Sequence, residues 1–177
     1  MPRKDDIRMS RDEIRDYLRE GHNMTLVTNG PKGFPHAVAM FYALDDDLTI
    51  RFATYGSSQK VKNIERSPKV TLLVETGTAY SELRGVMIEG VARIETDLER
   101  TVATMIEANA RTGSPLPDIE QIPLDVKVRM AGKRVLVCVE PTRFVSWDHG
   151  KLPSSKTPST LAGRPGSRGP GRANGSL

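Results

Sequence analysis

The feature that most constrains this chain is a series of short apolar runs, each cut off by turn residues. MTLVTN (24–29) stops at Gly30, Pro31 and Gly33. HAVAMFYAL (36–44) stops at Asp45-Asp46-Asp47, and LTIRFAT (48–54) runs into Tyr55-Gly56-Ser57-Ser58. VTLLVET (70–76), GVMIEGVARIE (85–95), RVLVCVEP (134–141) and TRFVSW (142–147) follow. Runs of this length, rich in β-branched residues and bounded by Gly, Pro, Asp and Ser, read as strands. The second and third, joined across the aspartates, read as a hairpin. Gly90, inside the longest run, marks a bulge or a close backbone approach. Many short strands with helices between them predict a mainly β, α+β fold, a barrel with peripheral helices rather than a parallel α/β sheet. No G-x-G-x-x-G dinucleotide fingerprint occurs.

Three stretches carry helical spacing. Ser10 and Glu13 have capping-box spacing, with Ile14, Tyr17 and Leu18 on one face and Gly21 as the stop. Residues 60–66 read as a short helix ended by Ser67-Pro68. Residues 98–111 place Val102, Met105 and Ile106 toward a core. Residues 112–121, with Pro115 and Pro117, read as a loop, and 122–131 fit neither pattern.

The 177 residues suffice for one domain with one core. No apolar run approaches the roughly 20 residues that span a bilayer, and the N-terminus lacks the apolar segment of a secretory signal. A lone cysteine, Cys138, allows no internal disulfide, which fits a cytoplasmic location. The net charge of +4 belongs to the end of the chain. Residues from Lys151 onward carry five cations and no acid, leaving 21 basic against 22 acidic residues before them. That Gly/Pro/Ser-rich segment has too few large apolar residues to offset its ordering entropy. The expected organisation is an N-terminal helix region (1–21), a barrel (22–150) and a disordered basic tail (151–177). Nucleic acid is not an expected partner; a basic tail serves solubility more often.

The stretch Thr54-Tyr55-Gly56-Ser57-Ser58-Gln59-Lys60-Val61-Lys62 carries the chemistry. A strand ends, a Gly/Ser turn exposes N–H groups and hydroxyls, and a helix begins with Lys60 in its first turn. Hydroxyls, helix dipole and two lysines are the parts of an anion site, and a phosphate monoester suits them. On the neighbouring strand His36, Val38 and Met40 share one face, and Ala37, Ala39 and Phe41 the other. The three histidines, His22, His36 and His149, lack metal-ligand spacing, so no metal site is expected.

TYGSSQKVKNIERSPKVTLLVE resembles the pyridoxamine 5′-phosphate oxidase-like family of flavin-binding split barrels. There a strand ending in Thr leads to Ser-x-Lys, a short helix, Asn-Pro or a variant, and an apolar strand; here those places fall on Thr54, Ser58, Lys60, Ser67-Pro68 and Val70–Val74. Gly33-Phe34-Pro35 before HAVAMFY resembles the family's G-x-P strand start. Glu89-Gly90-Val91-Ala92 resembles its central x-G-x-A, and RVLVCVEPTRFVSWDHGKL its closing strands. The resemblance covers roughly residues 20–150.

It implies an FMN-binding split β-barrel and a homodimer with the cofactor at the subunit interface. Ser58 and Lys60 would contact the cofactor phosphate, with Thr54 and Lys62 nearby and His36, Val38 and Met40, or the opposite face, lining the ring. Gln59 stands where the oxidase has an arginine, so one cationic clamp is missing. The C-terminal Trp- and Arg-rich segment that holds the oxidase's substrate is absent too. The shorter relatives that use the deazaflavin coenzyme F-420 also lack it. The implied function is hydride transfer to or from a small organic substrate with coenzyme F-420 or FMN. The alternatives are a non-catalytic barrel binding cofactor, haem or lipid, and an FMN enzyme like the oxidase itself. His36, Tyr42, Tyr55 and Tyr80 are the candidate proton donors. Arg84 and Arg93 could reach an acidic substrate, but a solvated or ion-paired role is expected of them, and Cys138 is expected as a buried thiol.

Overall fold

The computed structural model describes residues 4–110 and 117–152. The basic tail from residue 153 and the loop around Pro115 lie outside the described residues. The first helix, α1 (Arg11–Glu20), forms as its capping box predicts. Ser10 Oγ accepts from Glu13 N at 3.2 Å, and Glu13 Oε2 accepts from Ser10 N at 2.6 Å. Its buried face is Ile14, Tyr17 and Leu18. Gly21 ends it by close packing rather than by a left-handed turn: its φ is −69°. A Cβ there would stand 2.6 Å from Tyr42 Oη.

Seven strands follow: β1 (Asn23–Asn29), β2 (Pro35–Phe41), β3 (Ala43–Leu44), β4 (Ile50–Tyr55), β5 (Lys69–Thr76), β6 (Arg84–Glu95) and β7 (Arg134–Asp148). Between them lie α2 (Gln59–Arg66), α3 (Leu98–Ala110) and α4 (Leu124–Ala131). The strands form one antiparallel sheet in the order β2-β1-β5-β6-β7-β4-β3. Alternate residues point inward, as period two requires. Met24 and Leu26, Ile50 and Phe52, Val70 and Leu72, Val86 and Ile88, and Val137 and Val139 meet in a single core. Strands near both ends of the sheet share that core, so the sheet curls into a barrel. Among the described residues no ladder joins β2 to β4, and the barrel stays split along that seam.

Three elements differ from the sequence expectations. HAVAMFYAL breaks at Tyr42, which is fully buried and donates to Leu18 O at 2.6 Å. That bond ties the strand crossing to the end of α1. The two closing strands are one, because a bulge absorbs Pro141. Glu89 pairs with Arg143 and Gly90 with Pro141, leaving Thr142 as the extra residue. Gly90 is where the sequence marked irregularity, and a Cβ there would approach Val139 Cγ1 to 2.6 Å. The ambiguous 122–131 contains α4. Its Ala131 packs with Val102 and Ile106 of α3 in a second, smaller core, which Met105 borders. The helix α3 sits outside β4, held by Arg51, whose Nη1 donates to Thr104 Oγ1 at 2.6 Å and Nη2 to Glu107 Oε2 at 2.7 Å.

Candidate anion turn and split-barrel cleft

Strand β4 delivers Thr54 inward, where it is buried, and Tyr55 outward, where it is half exposed. The chain then turns: Ser58 N donates to Tyr55 O at 3.0 Å, and Gly56 N donates to Lys133 O at 3.1 Å. Ser58 is the N-cap of α2 with extended backbone, φ −70° and ψ 153°. An N-cap serine ordinarily accepts from a first-turn N–H. Ser58 makes no such bond, and its Oγ is buried without a hydrogen-bond partner. Lys60, two residues further in the first turn of α2, is half-buried. Desolvation holds its ammonium below the ordinary lysine pKa. No acid stands in the first turn of α2. A buried hydroxyl, a partly desolvated cation and a helix N-terminus thus converge at one turn. Lys62 is exposed on the same helix.

The other expected residues take different places. Gln59 Nε2 donates to Asn63 Oδ1 at 2.8 Å, so its side chain turns along the helix. His36, Val38 and Met40 lie on the inner face of β2. Val38 and Met40 pack against the barrel core, while the His36 Nδ1 is buried without a hydrogen-bond partner. Ala37, Ala39 and Phe41 form the exposed face.

Among the candidate proton donors, Tyr42 is taken up by its bond to Leu18. Tyr80 is exposed and meets His149 edge to face at 4.5 Å. Tyr55 stands at the turn itself. Arg84 pairs with Asp148 at 3.2 Å and Arg93 with Glu140 at 2.9 Å. Burial raises the Cys138 thiol pKa, with the Glu95 carboxylate adding to it, which leaves an unreactive group.

Two residues that flank the turn escaped the sequence reading. Asn63 is fully buried and donates to Thr28 Oγ1 at 2.9 Å, locking α2 onto β1. Its polar character in the middle of an apolar helix face was the available signal. Arg134 stacks on the Tyr55 ring, with its guanidinium carbon 4.3 Å from the centroid. The pairing of Tyr55 with Arg134 spans 79 positions, so no local pattern announces it. Beside this pair a cleft of about 300 Å³ opens along the seam, where Ala39 and Phe41 of β2 face Ala53 of β4 and Met105 of α3.

The hydroxyl, N–H groups and cation of such a turn suit a phosphate or similar oxyanion. Comparison with known proteins agrees with the fold. A conserved hypothetical protein of Mycobacterium tuberculosis is 36% identical, with a TM-score of 0.74 over 92% of this chain and 100% of that one. An F-420 reductase is 26% identical, with a TM-score of 0.57 over 74% and 94%. A haem storage protein from Vibrio cholerae is 15% identical, with a TM-score of 0.56 over 77% and 94%, a likeness of fold alone. No curated protein matches the sequence. The pyridoxamine 5′-phosphate oxidase family model matches residues 10–148. The curled, seam-opened sheet is that family's split barrel, and the chain belongs to the pyridoxamine 5′-phosphate oxidase family.

Proposed function

We propose that this protein is an oxidoreductase that binds coenzyme F-420 or FMN through the Ser58–Lys60 turn. The observation that carries the reading is the Ser58 hydroxyl, buried at a helix N-terminus with no partner beside the partly desolvated Lys60. A phosphate group supplies what both lack: an acceptor for the hydroxyl and a counter-charge for the ammonium. The family and the likeness to an F-420 reductase support a flavin-type cofactor. Fold does not choose between cofactors, since a haem storage protein shares it.

When bound, such a cofactor supplies the hydride chemistry. The chain's own part is to hold and orient it. Ser58, the N–H groups at the start of α2, and Lys60 would anchor the phosphate. Thr54 lies buried behind the turn. The Asn63–Thr28 bond keeps α2, and so the turn, fixed against the barrel. From that anchor the exposed face of β2, Ala37 and Ala39, offers small side chains on which a flat ring can lie.

We further propose that the protein works as a homodimer. The sheet register aligns Ala39, Thr25, Leu73, Met87 and Val145 in one row across the outer face of five strands. That largely apolar row suits burial against the same row of a second copy, which would bring a partner surface to the ring site. Leu73→Asp is expected to give a monomer in sedimentation.

The deciding experiment is a paired fluorescence titration of apo-protein with FMN and with coenzyme F-420, repeated with Lys60→Ala. Binding of one, lost in the variant, supports the reading. Binding of neither, or equal binding by the variant, overturns it.

A further inference from the structure

We propose that Arg134 is the specificity residue of a small substrate subsite in the seam cleft, and that it selects a planar molecule bearing a carboxylate. This rests on the reading that the cofactor phosphate is held by the Ser58–Lys60 turn.

Arg134 differs from most of the described arginines. Arg15, Arg19, Arg51, Arg84, Arg93, Arg100, Arg129 and Arg143 each stand within ion-pair distance of an acid. Arg134 does not. It is half-buried at the start of β7 and held from two sides. Its Nε donates to Met130 O at 3.2 Å, its Nη2 donates to Tyr55 Oη at 3.3 Å, and its guanidinium carbon lies over the Tyr55 ring. These contacts fix the guanidinium without neutralising it. A preorganised fork that still has free N–H donors loses little entropy on binding a carboxylate.

The cleft it borders has a definite character. Ala39, Met40, Phe41, Ala53, Met105 and Ala108 supply apolar wall and Asn109 a polar group, and among the described residues Arg134 is the one charged residue of the lining. At about 300 Å³ the cleft sits at the small end of ligand pockets, room for one or two rings. Apolar walls with a single fixed cation select a flat body with one anionic group. Tyr55 links the cleft to the anion turn: its ring carries Arg134, which lines the cleft, and its carbonyl accepts from Ser58 N. A molecule in the cleft would therefore lie next to a ring anchored at the turn, where hydride transfer requires it.

The test uses cofactor-free full-length protein and two probes of equal shape, 2-naphthoate and its neutral amide, followed by calorimetry and by methyl NMR of Met105. The wild type is expected to bind naphthoate at least about tenfold more tightly than the amide. Arg134→Gln should abolish that preference while leaving amide binding and the FMN or F-420 titration unchanged. Arg134→Lys, which keeps the charge without the fork, should retain part of the preference and guards against a folding defect in the glutamine variant. Equal affinity of both probes for the wild type overturns the proposal. So does a loss of cofactor affinity in Arg134→Gln, which would assign the guanidinium to the cofactor instead. If neither cofactor binds the wild type but the naphthoate preference persists and depends on Arg134, the cofactor reading fails and the subsite stands.

Discussion

Asn63 Nδ2 donates to Thr28 Oγ1 at 2.9 Å, with both residues buried at the junction of α2 and β1. The same Asn63 accepts from Gln59 at 2.8 Å and from Arg66 at 3.2 Å through Oδ1. One amide therefore positions the helix whose first turn carries the proposed anion site. Asn63→Leu would leave the Thr28 hydroxyl without its donor and the Gln59 amide without its acceptor. A loss of about 1–3 kcal/mol in urea unfolding is expected. The cofactor titration should weaken as well, because α2 loses its register on β1. Unchanged stability would show that water replaces the side chain at no cost.

Much of this architecture was legible in the sequence, for identifiable reasons. Period-two burial on β1, β4 and β5 follows directly from MTLVTN, LTIRFAT and VTLLVET, since strands covered on one face alternate. The capping box of Ser10 and Glu13 is a local signal and forms as such. The Ser58–Lys60 turn was visible because its parts are contiguous. What stayed hidden is non-local. Tyr42 leaves the β2 ladder to reach Leu18 O, and Pro141 survives inside β7 only because Thr142 bulges opposite Glu89 and Gly90. Nothing near residue 134 announces that it stacks on Tyr55. Gln59, in the place of the missing clamp, is occupied by Asn63 one helical turn away, a local contact that becomes fixed only because Asn63 is itself held by Thr28 across 35 positions.

Lys60→Met separates binding from stability. The lysine's ammonium is partly desolvated in the fold, so its charge works against the folded state near neutral pH. Replacing it with an apolar side chain of similar length should leave the melting temperature unchanged or slightly higher. Affinity for FMN or F-420 should fall by at least about tenfold, the scale of one charge-assisted hydrogen bond. A variant that melts lower yet binds normally would place Lys60 in the scaffold rather than the site.

The same lysine sets a pH window for binding. Its pKa in the free protein lies below 10.5 because burial disfavours the charged form. A bound phosphate dianion favours that form, so binding raises the pKa and takes up protons on the alkaline side. The phosphate monoester of FMN reaches full charge above a pKa of about 6. Affinity for FMN should rise through that value, hold steady, and decline as pH passes the free lysine's pKa. In Lys60→Met the alkaline decline should vanish while the acid limb remains.

Trp147 lies across the position of Gly85, its cross-strand partner, so closely that a Cβ there would overlap the indole ring. It is the chain's single tryptophan, so its fluorescence reports this contact alone. Gly85→Ala should displace the ring, red-shift its emission, and cost about 1–3 kcal/mol by overpacking. An unshifted spectrum would mean that the strands part locally instead.

Glu13 closes the α1 capping box and also reaches Lys151, whose Nζ lies 2.8 Å from Glu13 Oε2. The Lys151 hydrogen bond, then the Ser10 backbone N–H, lowers the Glu13 pKa from 4.5 to about 2. A carboxylate depressed in the folded state stabilises the fold fully above its unfolded pKa. That contribution fades as pH falls through the folded value, so the relevant window runs from pH 4.5 down to about 2. Over this range the first turn of α1 should lose amide-exchange protection before the barrel does. Lys151→Ala should raise the Glu13 pKa toward its ordinary value in a carboxyl NMR titration and move the loss of protection to higher pH. If the variant titrates like the wild type, Ser10 alone holds the carboxylate, and the link between α1 and the end of the barrel has no part in acid stability.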